Sequence, residues 1–339
     1  MSGGVDSSVA ALLLKQQHYS CRGVFMMTHD NCHGDMADAK RIAAAIGIEI
    51  DILDLREQFR EILDYFCREY KRARTPNPCV YCNRVMKFGL LWRHAQEKGC
   101  NYIATGHYIR RIDDKIYVGS DMRKEQSYVL TMVEPDVIKH TIFPTGTYTK
   151  PQIREIAFAN NLDIHEKPDS QEICFIPNDD YAACLESLSP EVVKKGDIVY
   201  IDGRKLGEHN GIHRYTIGQR RGLKVAMGEP VYVTSLDAAT NTVTLGPQEA
   251  VMSKVCYTDN ANWLTPPHAG AFEAIVKIRY NNVGTAAKVE QYGDGLRITF
   301  DSPVSAVTPG QVAAVYLEDA NGRYLAGGGW ISRTEPLNH

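Results

Sequence analysis

No run of apolar residues in this 339-residue chain approaches the roughly 18 needed for a membrane span, and its start, MSGGVDSS, has neither a basic segment nor an apolar one behind it. A membrane-embedded chain and a secreted one are therefore not expected; the reading is a protein that stays in the cytosol. Excess positive charge is also missing. The 38 Lys and Arg against 41 Asp and Glu give a net charge of -3, so bulk electrostatics do not make the chain a nucleic-acid binder. Nine cysteines form no paired framework of disulfide spacings, and there is no internal repeat or low-complexity tract. What is present is ordinary: 44% hydrophobic and 23% charged residues, enough for two or three folded domains.

Charge is nevertheless concentrated. Arg68, Lys71, Arg72, Arg74, Arg84 and Lys87 face a single acid, Glu69, in one stretch, and Arg214, Arg220, Arg221 and Lys224 face none in another. Either cluster could be a solvated face or a track for phosphates.

The first ~175 residues alternate strand candidates with helical periodicity, the rhythm of a parallel sheet covered by helices. CRGVFM (21–26) and residues 48–53 read as strands. Met36, Ala39, Ala43 and Ile46 recur at helical spacing until Gly47 stops them. Residues 56–72 and 85–98 read as helices, and 102–105 as a short strand ending at Gly106. After Pro177 short strands and turn formers take over, giving a small mixed module over 178–253 and a β-barrel over 254–339.

Three strings carry chemistry. Ser2, Gly3, Gly4, Val5, Asp6 and Ser7 run straight into a helix, offering glycine-permitted close approach and free N–H groups at a positive helix end. The loop lacks the terminal Gly-Lys-Ser/Thr of the Walker type, so γ-phosphate transfer is not what it suggests. It also begins with no strand upstream, whereas such loops are aimed by one; weakened nucleotide binding is the expectation unless something replaces that strand. TPNPCVYCN (75–83) places Cys79 and Cys82 three apart inside the first basic cluster, where positive charge is expected to favour thiolate. Zinc is the rival reading, but no second Cys-x2-Cys pair exists, and completion would need scattered residues such as Cys32 and His33. KPDSQEICFIP (167–177) carries Cys174, which alone reads equally as a core thiol or a loop thiol. Cys21, Cys67, Cys100, Cys184 and Cys256 are expected to be packing residues; Cys32 is left open.

SGGVDSS resembles the PP-loop of ATP pyrophosphatases. Together with ATGHY (104–108), TPNPCVYCN, EQSYVL (125–130), DSQEICFIP, GEHNGIHRYTIGQRRGL (207–223) and TPGQ (308–311), it resembles the tRNA-specific 2-thiouridylase family over almost the whole chain. The resemblance implies an α/β fold: a parallel-sheet PP-loop domain (1–177), a small mixed domain (178–253) and a C-terminal β-barrel (254–339). It implies ATP and Mg2+ as cofactors, the anticodon loop of tRNA as substrate, and a sulfur-relay protein as persulfide donor. Adenylation of the wobble uridine C2 carbonyl would be followed by sulfur transfer from a persulfide on Cys174, with Cys82 as partner thiol, leaving a Cys82–Cys174 disulfide. The nucleotide would be held by Ser2 to Ser7, Met26 and Gly106. Asn77, Pro78, Cys79, His107, Lys124, Glu125, Gln126, Arg279, Tyr280 and Gln311 match tRNA-contacting positions. Many relatives carry Asp where this chain has Cys79, which makes Cys79 the expected replaceable thiol of its pair. The loop bearing Cys174 would have to fold over the nucleotide site, and the two catalytic thiols could lie far apart before tRNA binds. The competing classes are a ligase-type PP-loop enzyme working on a carboxylate and a non-catalytic RNA-binding module.

Overall fold

The structure is a computed structural model that describes residues 1–167, 173–267 and 270–337. Helix α1 (Val5–Gln16) leaves the glycine loop directly, and strand β1 (Arg22–Met27) follows it. Helix α2 (His33–Ile46) buries Ala39, Ile42 and Ala43 and ends at Gly47 in the left-handed region (φ 75°), as the periodicity predicts. Strand β2 (Glu49–Asp54) pairs in parallel with β1, from Arg22 opposite Glu49 to Met27 opposite Asp54. Helix α3 (Arg56–Lys71) turns Phe59, Ile62, Phe66 and Tyr70 inward at helical spacing.

Next comes one helical stretch in three parts. Helix α4 (Pro78–Cys82) has Pro at its first position and Asn77 as its cap, the Asn77 side chain accepting from Val80 N–H at 3.2 Å. A π-helical segment (Asn83–Leu90) follows, then α5 (Leu91–Glu97). Such widened turns concentrate at functional sites.

Strands β3 (Ile103–Ala104), β4 (Ile109–Ile112) and β5 (Lys115–Val118), helix α6 (Pro135–Lys139), strand β6 (Thr141–Ile142) and helix α7 (Lys150–Ala159) complete the first domain. Its parallel sheet comes in two pieces, β1–β2 and β3–β6. Among the described residues no ladder joins them, and the main-chain nitrogen of Met1 donates to the Val24 carbonyl on β1, where a preceding strand would pair. Gly106, just past β3, lies against the backbone of Asp6 and Ser7, so the glycine loop is wedged between the two pieces.

Helix α8 (Tyr181–Leu188) opens a small module of strands β7 (Gly196–Tyr200), β8 (Lys205–His209), β9 (Tyr232–Asp237) and β10 (Thr242–Gly246). Their order is β8-β7-β10-β9, with β7 and β10 parallel and the other pairs antiparallel. The last strands are β11 (Met252–Trp263), β12 (Phe272–Lys277), β13 (Thr285–Tyr292), β14 (Gly295–Ser305), β15 (Val312–Asp319) and β16 (Gly322–Pro336). They run in the order β11-β14-β13-β12-β15-β16, and β16 returns to β11, closing a six-stranded barrel around Val276, Val289, Ile298, Phe300, Val315 and Ile331. The α/β reading with a mixed centre and a C-terminal barrel holds.

One connection has no precedent in the sequence reading. The β4–β5 hairpin of the first domain adds to the barrel sheet, with Tyr117 opposite Tyr324 and Ile116 opposite Leu325. Ile116, Tyr117 and Leu325 are essentially solvent-free.

Candidate active site

The glycine loop is shaped by contacts that leave no room for side chains. Gly3 sits at φ +73°, and a Cβ there would lie 2.4 Å from the Asp35 carbonyl oxygen. Gly4 caps α1 with no side-chain acceptor, so the first helical N–H groups keep their donors free for an anion. Ser2 N–H donates to Ser7 Oγ (3.0 Å), and Ser8 Oγ to the Gly4 carbonyl (2.8 Å). Two lysines outside the loop hold it. Lys150 Nζ and the Tyr108 hydroxyl both donate to the Asp6 carboxylate, at 2.7 and 2.6 Å. Lys167 Nζ bonds the Gly3 carbonyl (3.0 Å), Asp35 (2.8 Å) and Asp38 (2.8 Å). Sequence reasoning missed Lys150, which approaches from α7 with no local motif to mark it; Lys167 opens the KPDSQEICFIP string, but its bond to Gly3 is set by the fold. Met26 is half-buried in the cluster of Phe59, Ile62 and Met86, which also receives Cys82.

Cys174 comes within electrostatic reach of Cys79 and Cys82. A turn closed by Ile176 N–H to the Ile173 carbonyl (2.9 Å) presents Cys174. Beside it Phe175 stacks edge-on against Phe59 (5.7 Å) and Phe66 (5.3 Å) of α3. Phe175 and Cys82 pack on the same cluster, so the aromatic anchor brings Cys174 to α4. Lys87, one and a half turns beyond Cys82, lowers the pKa of Cys79, Cys82 and Cys174 alike, while the charge of Cys174 raises those of Cys79 and Cys82. Pro168, Asp169, Ser170, Gln171 and Glu172 of the DSQEIC string lie outside the described residues.

The electrostatic expectation is corrected. Positive charge does act on all three thiols, but burial opposes it and wins: all three are raised, Cys82 to about 11. Cys79 and Cys174 are exposed and Cys82 half-buried, so solvent reaches thiols in a recess whose walls disfavour charge. The thiolate is therefore a scarce species at neutral pH, and Lys87, which makes no ion pair among the described residues, limits how scarce. With Lys87→Met, transfer between these thiols is expected to slow by roughly 3–10-fold at pH 7, and the rising limb of the pH–rate profile moves to higher pH. Single-turnover rates from pH 7 to 9 check this; an unshifted profile would remove Lys87 from the chemistry.

Among the described residues no three His, Cys, Asp or Glu side chains gather as a metal site. Cys32 is buried in a different cluster, its thiol donating to the His29 carbonyl at 2.9 Å. Of the expected packing cysteines, Cys256 is fully buried and Cys67 and Cys184 pack beside Phe66. Two expectations fail. Cys100 is exposed because it follows Gly99 in the turn that ends α5, and Cys21 is half-buried at the mouth of β1, its thiol 3.4 Å from the Tyr19 carbonyl.

Several residues matched to RNA contact also make contacts within the protein. Gln311 donates to the carbonyls of Thr75 (3.1 Å) and Pro76 (3.0 Å) and accepts from Asn77 Nδ2 (3.3 Å), which locks the barrel to the TPNP loop. Pro78 is buried at the start of α4. Arg279 donates to Ala306 and Thr308 in the barrel and reaches Ile217 of the central module at 3.4 Å. His107 is buried, its Nδ1 2.8 Å from Thr105 Oγ1, and burial with Lys87 nearby holds it neutral. Glu125 is buried and accepts from Ser127 N–H; Gln126 accepts from Tyr108 N–H at 3.0 Å. Lys124 is half-buried, whereas Tyr280 remains exposed and close enough to Cys79 to feel its charge.

Much of the first basic cluster is already paired: Lys71 with Glu191 (2.6 Å), Arg74 and Arg72 with Glu69, Arg84 with Glu134 (3.6 Å). In the second, Arg214 pairs with Glu186, but Arg220, Arg221 and Lys224 are exposed with no ion pair among the described residues.

A glycine loop at a helix start, wedged between two pieces of a parallel α/β sheet, is the arrangement of a nucleotide-binding domain. Family models match three successive stretches of the chain. The first domain matches the tRNA methyl transferase HUP domain over residues 1–178. The tRNA methyl transferase PRC-barrel domain matches 187–247 and the aminomethyltransferase beta-barrel domain 253–331. The tRNA-specific 2-thiouridylase MnmA of Anaplasma marginale is 41% identical over 350 residues, covering 98% of this chain and 89% of that protein. The MnmA of Pelobacter propionicus is 42% identical over 344 residues, covering 98% and 96%. The chain belongs to the tRNA-specific 2-thiouridylase family, whose members are tRNA sulfurtransferases. Two solved structures overlap more loosely. NMN synthetase from Francisella tularensis has 19% identity and a TM-score of 0.35 over 50% of this chain and 63% of that one. The U34-tRNA thiolase NcsA from Methanococcus maripaludis, with its 4Fe-4S cluster, has 20% identity and a TM-score of 0.36 over 57% and 65%.

Proposed function

We propose that this chain 2-thiolates the wobble uridine of tRNA, with ATP and Mg2+ supplying the adenylyl group that makes the C2 oxygen a leaving group. The observation that carries the reading is that Cys82 and Phe175, the neighbour of Cys174, pack on one cluster, with Cys174 and Lys87 near enough for their charges to act on Cys82, although the two thiols are 92 positions apart in the sequence. The residues fit a nucleotide: the free N–H groups that open α1 and the hydroxyls of Ser2 and Ser7 form a cradle for phosphates, Lys167 fixes that loop through the Gly3 carbonyl, and Gly106 leaves the space a side chain would fill. Asp6 is already engaged by Lys150 and Tyr108, so the ion would be held chiefly by the phosphates it accompanies.

Cys174 takes sulfur as a persulfide from a donor protein, and its terminal sulfur attacks C2. Cys82 then attacks Cys174 Sγ, releasing the thiolated base and leaving a Cys82–Cys174 disulfide. Tyr280, Lys124 and the exposed Arg220, Arg221 and Lys224 offer the open polar surface for the RNA. Turnover in the presence of tRNA is expected to yield AMP and pyrophosphate in step with thiouridine. Chromatography of the nucleotide products checks this, and ADP with orthophosphate would overturn adenylation.

A further inference from the structure

Position 79 holds a third thiol at the centre of this site, and the reaction as described gives it no task. We propose that Cys79 resolves the spent enzyme: it attacks the Cys82–Cys174 disulfide at Cys82, leaving a Cys79–Cys82 disulfide and returning Cys174 free to be recharged. The inference rests on the proposed persulfide cycle and adds a step after sulfur transfer, so it governs recharging rather than delivery of the first sulfur.

The geometry favours this exchange. Cys79 and Cys82 lie on the same face of α4, three residues apart, where helical geometry sets their Cα atoms about 5 Å apart, inside the 4.4–6.8 Å range of disulfides. Their Cβ atoms, about 5–6 Å apart in a regular turn, need close by only about 1–2 Å. Cys174 arrives from another segment and is held by the Phe175 anchor rather than by the helix, so it can withdraw once released. Cys79 is exposed, which places the resulting bond where an external dithiol can reach it, while Cys82 is half-buried. Tyr280 lies close enough to sense the Cys79 charge, putting this thiol at the edge facing the open surface.

The step balances. The Cys79 thiol gives its proton to solvent, and its sulfur bonds to Cys82 Sγ. The Cys82–Cys174 bond breaks, and its electron pair leaves on Cys174 Sγ. One disulfide replaces another, so no oxidant or reductant is consumed; a dithiol reductant is needed only to reopen the final bond, as for the first one. Leaving-group strength points the same way. Burial raises Cys82 to about 11, which makes it a poor thiolate to expel and so the sulfur to be attacked.

The test uses the full chain without tRNA. Reduced protein is treated with one equivalent of diamide, capped with iodoacetamide and digested with trypsin. Because Cys79 and Cys82 share the tryptic peptide from Thr75 to Arg84, their disulfide shows as loss of two hydrogens within that peptide, with Cys174 alkylated. We expect that form to exceed the Cys82–Cys174 cross-link by about tenfold. In Cys79→Ser the cross-link should accumulate instead, and persulfide reloading of Cys174 after one oxidation should slow by about tenfold. A dominant Cys82–Cys174 cross-link in the unsubstituted protein, or reloading unaffected by Cys79→Ser, overturns the proposal. Failure of the thiolation reading shows separately, as sulfur transfer that survives in Cys174→Ser.

Discussion

Replacing Cys174 by serine is expected to lower sulfur transfer to tRNA by about three orders of magnitude or more, because the proposed cycle loads the sulfane sulfur on this thiol. Cys82→Ser should fail at a different point. The persulfide still forms on Cys174, but the thiolated base stays linked to the protein, so protein–RNA adducts cleaved by a reductant are the expected signature. Both variants should fold normally: Cys174 is exposed, and Cys82 is half-buried at the edge of its cluster rather than inside it. Transfer of labelled sulfur, scored with and without dithiothreitol, separates the two roles. The unsubstituted enzyme should also speed up as pH rises from 7 to 9. With Cys82 raised to about 11, its thiolate gains about tenfold per pH unit throughout that window.

The second large effect is expected at Gly106. An alanine there would place its Cβ 2.7 Å from the Asp6 carbonyl carbon and the Ser7 nitrogen, both main-chain atoms that cannot swing aside. The loop must shift by several tenths of an ångström, costing about 1–3 kcal/mol of stability. It also loses its aim at the phosphates, so pyrophosphate release should fall about 100-fold while the thiols still accept sulfur. Pyrophosphate formation and persulfide loading measured on one preparation check the pair. Loss of both together would mean that the substitution had unfolded the domain rather than misplaced the loop.

How much of this the sequence disclosed depends on the range of the interaction. Helix α3 was legible to within a residue, because Phe59, Ile62, Phe66 and Tyr70 repeat at helical spacing. Gly47 stops α2 for a reason visible in its own φ. The strings around Cys82, Cys174 and the glycine loop were legible as motifs. Lys150 was not, and Lys167 was legible only as the start of the Cys174 string, since their meeting with Asp6 and Gly3 is made by the fold alone. The direction of the thiol pKa shifts was misread for a related reason: charge can be counted along a chain, but burial cannot, and burial was the stronger influence. Gln311 and Asn77 show the same limit, since their hydrogen bond joins residues 234 positions apart.

The hairpin β4–β5 that enters the barrel sheet bears on how the chain is partitioned. Three family descriptions divide it, yet β5 ends as an internal strand of a sheet whose other members lie some two hundred residues later. A fragment cut before β11 would bare the unpaired edge of β5 and the apolar side chains of Ile116 and Tyr117, an invitation to edge-to-edge association. During synthesis that edge stays open until the last strand, β16, has formed. The first and last matched stretches are thus tied by a strand pairing that is completed only when β16 docks.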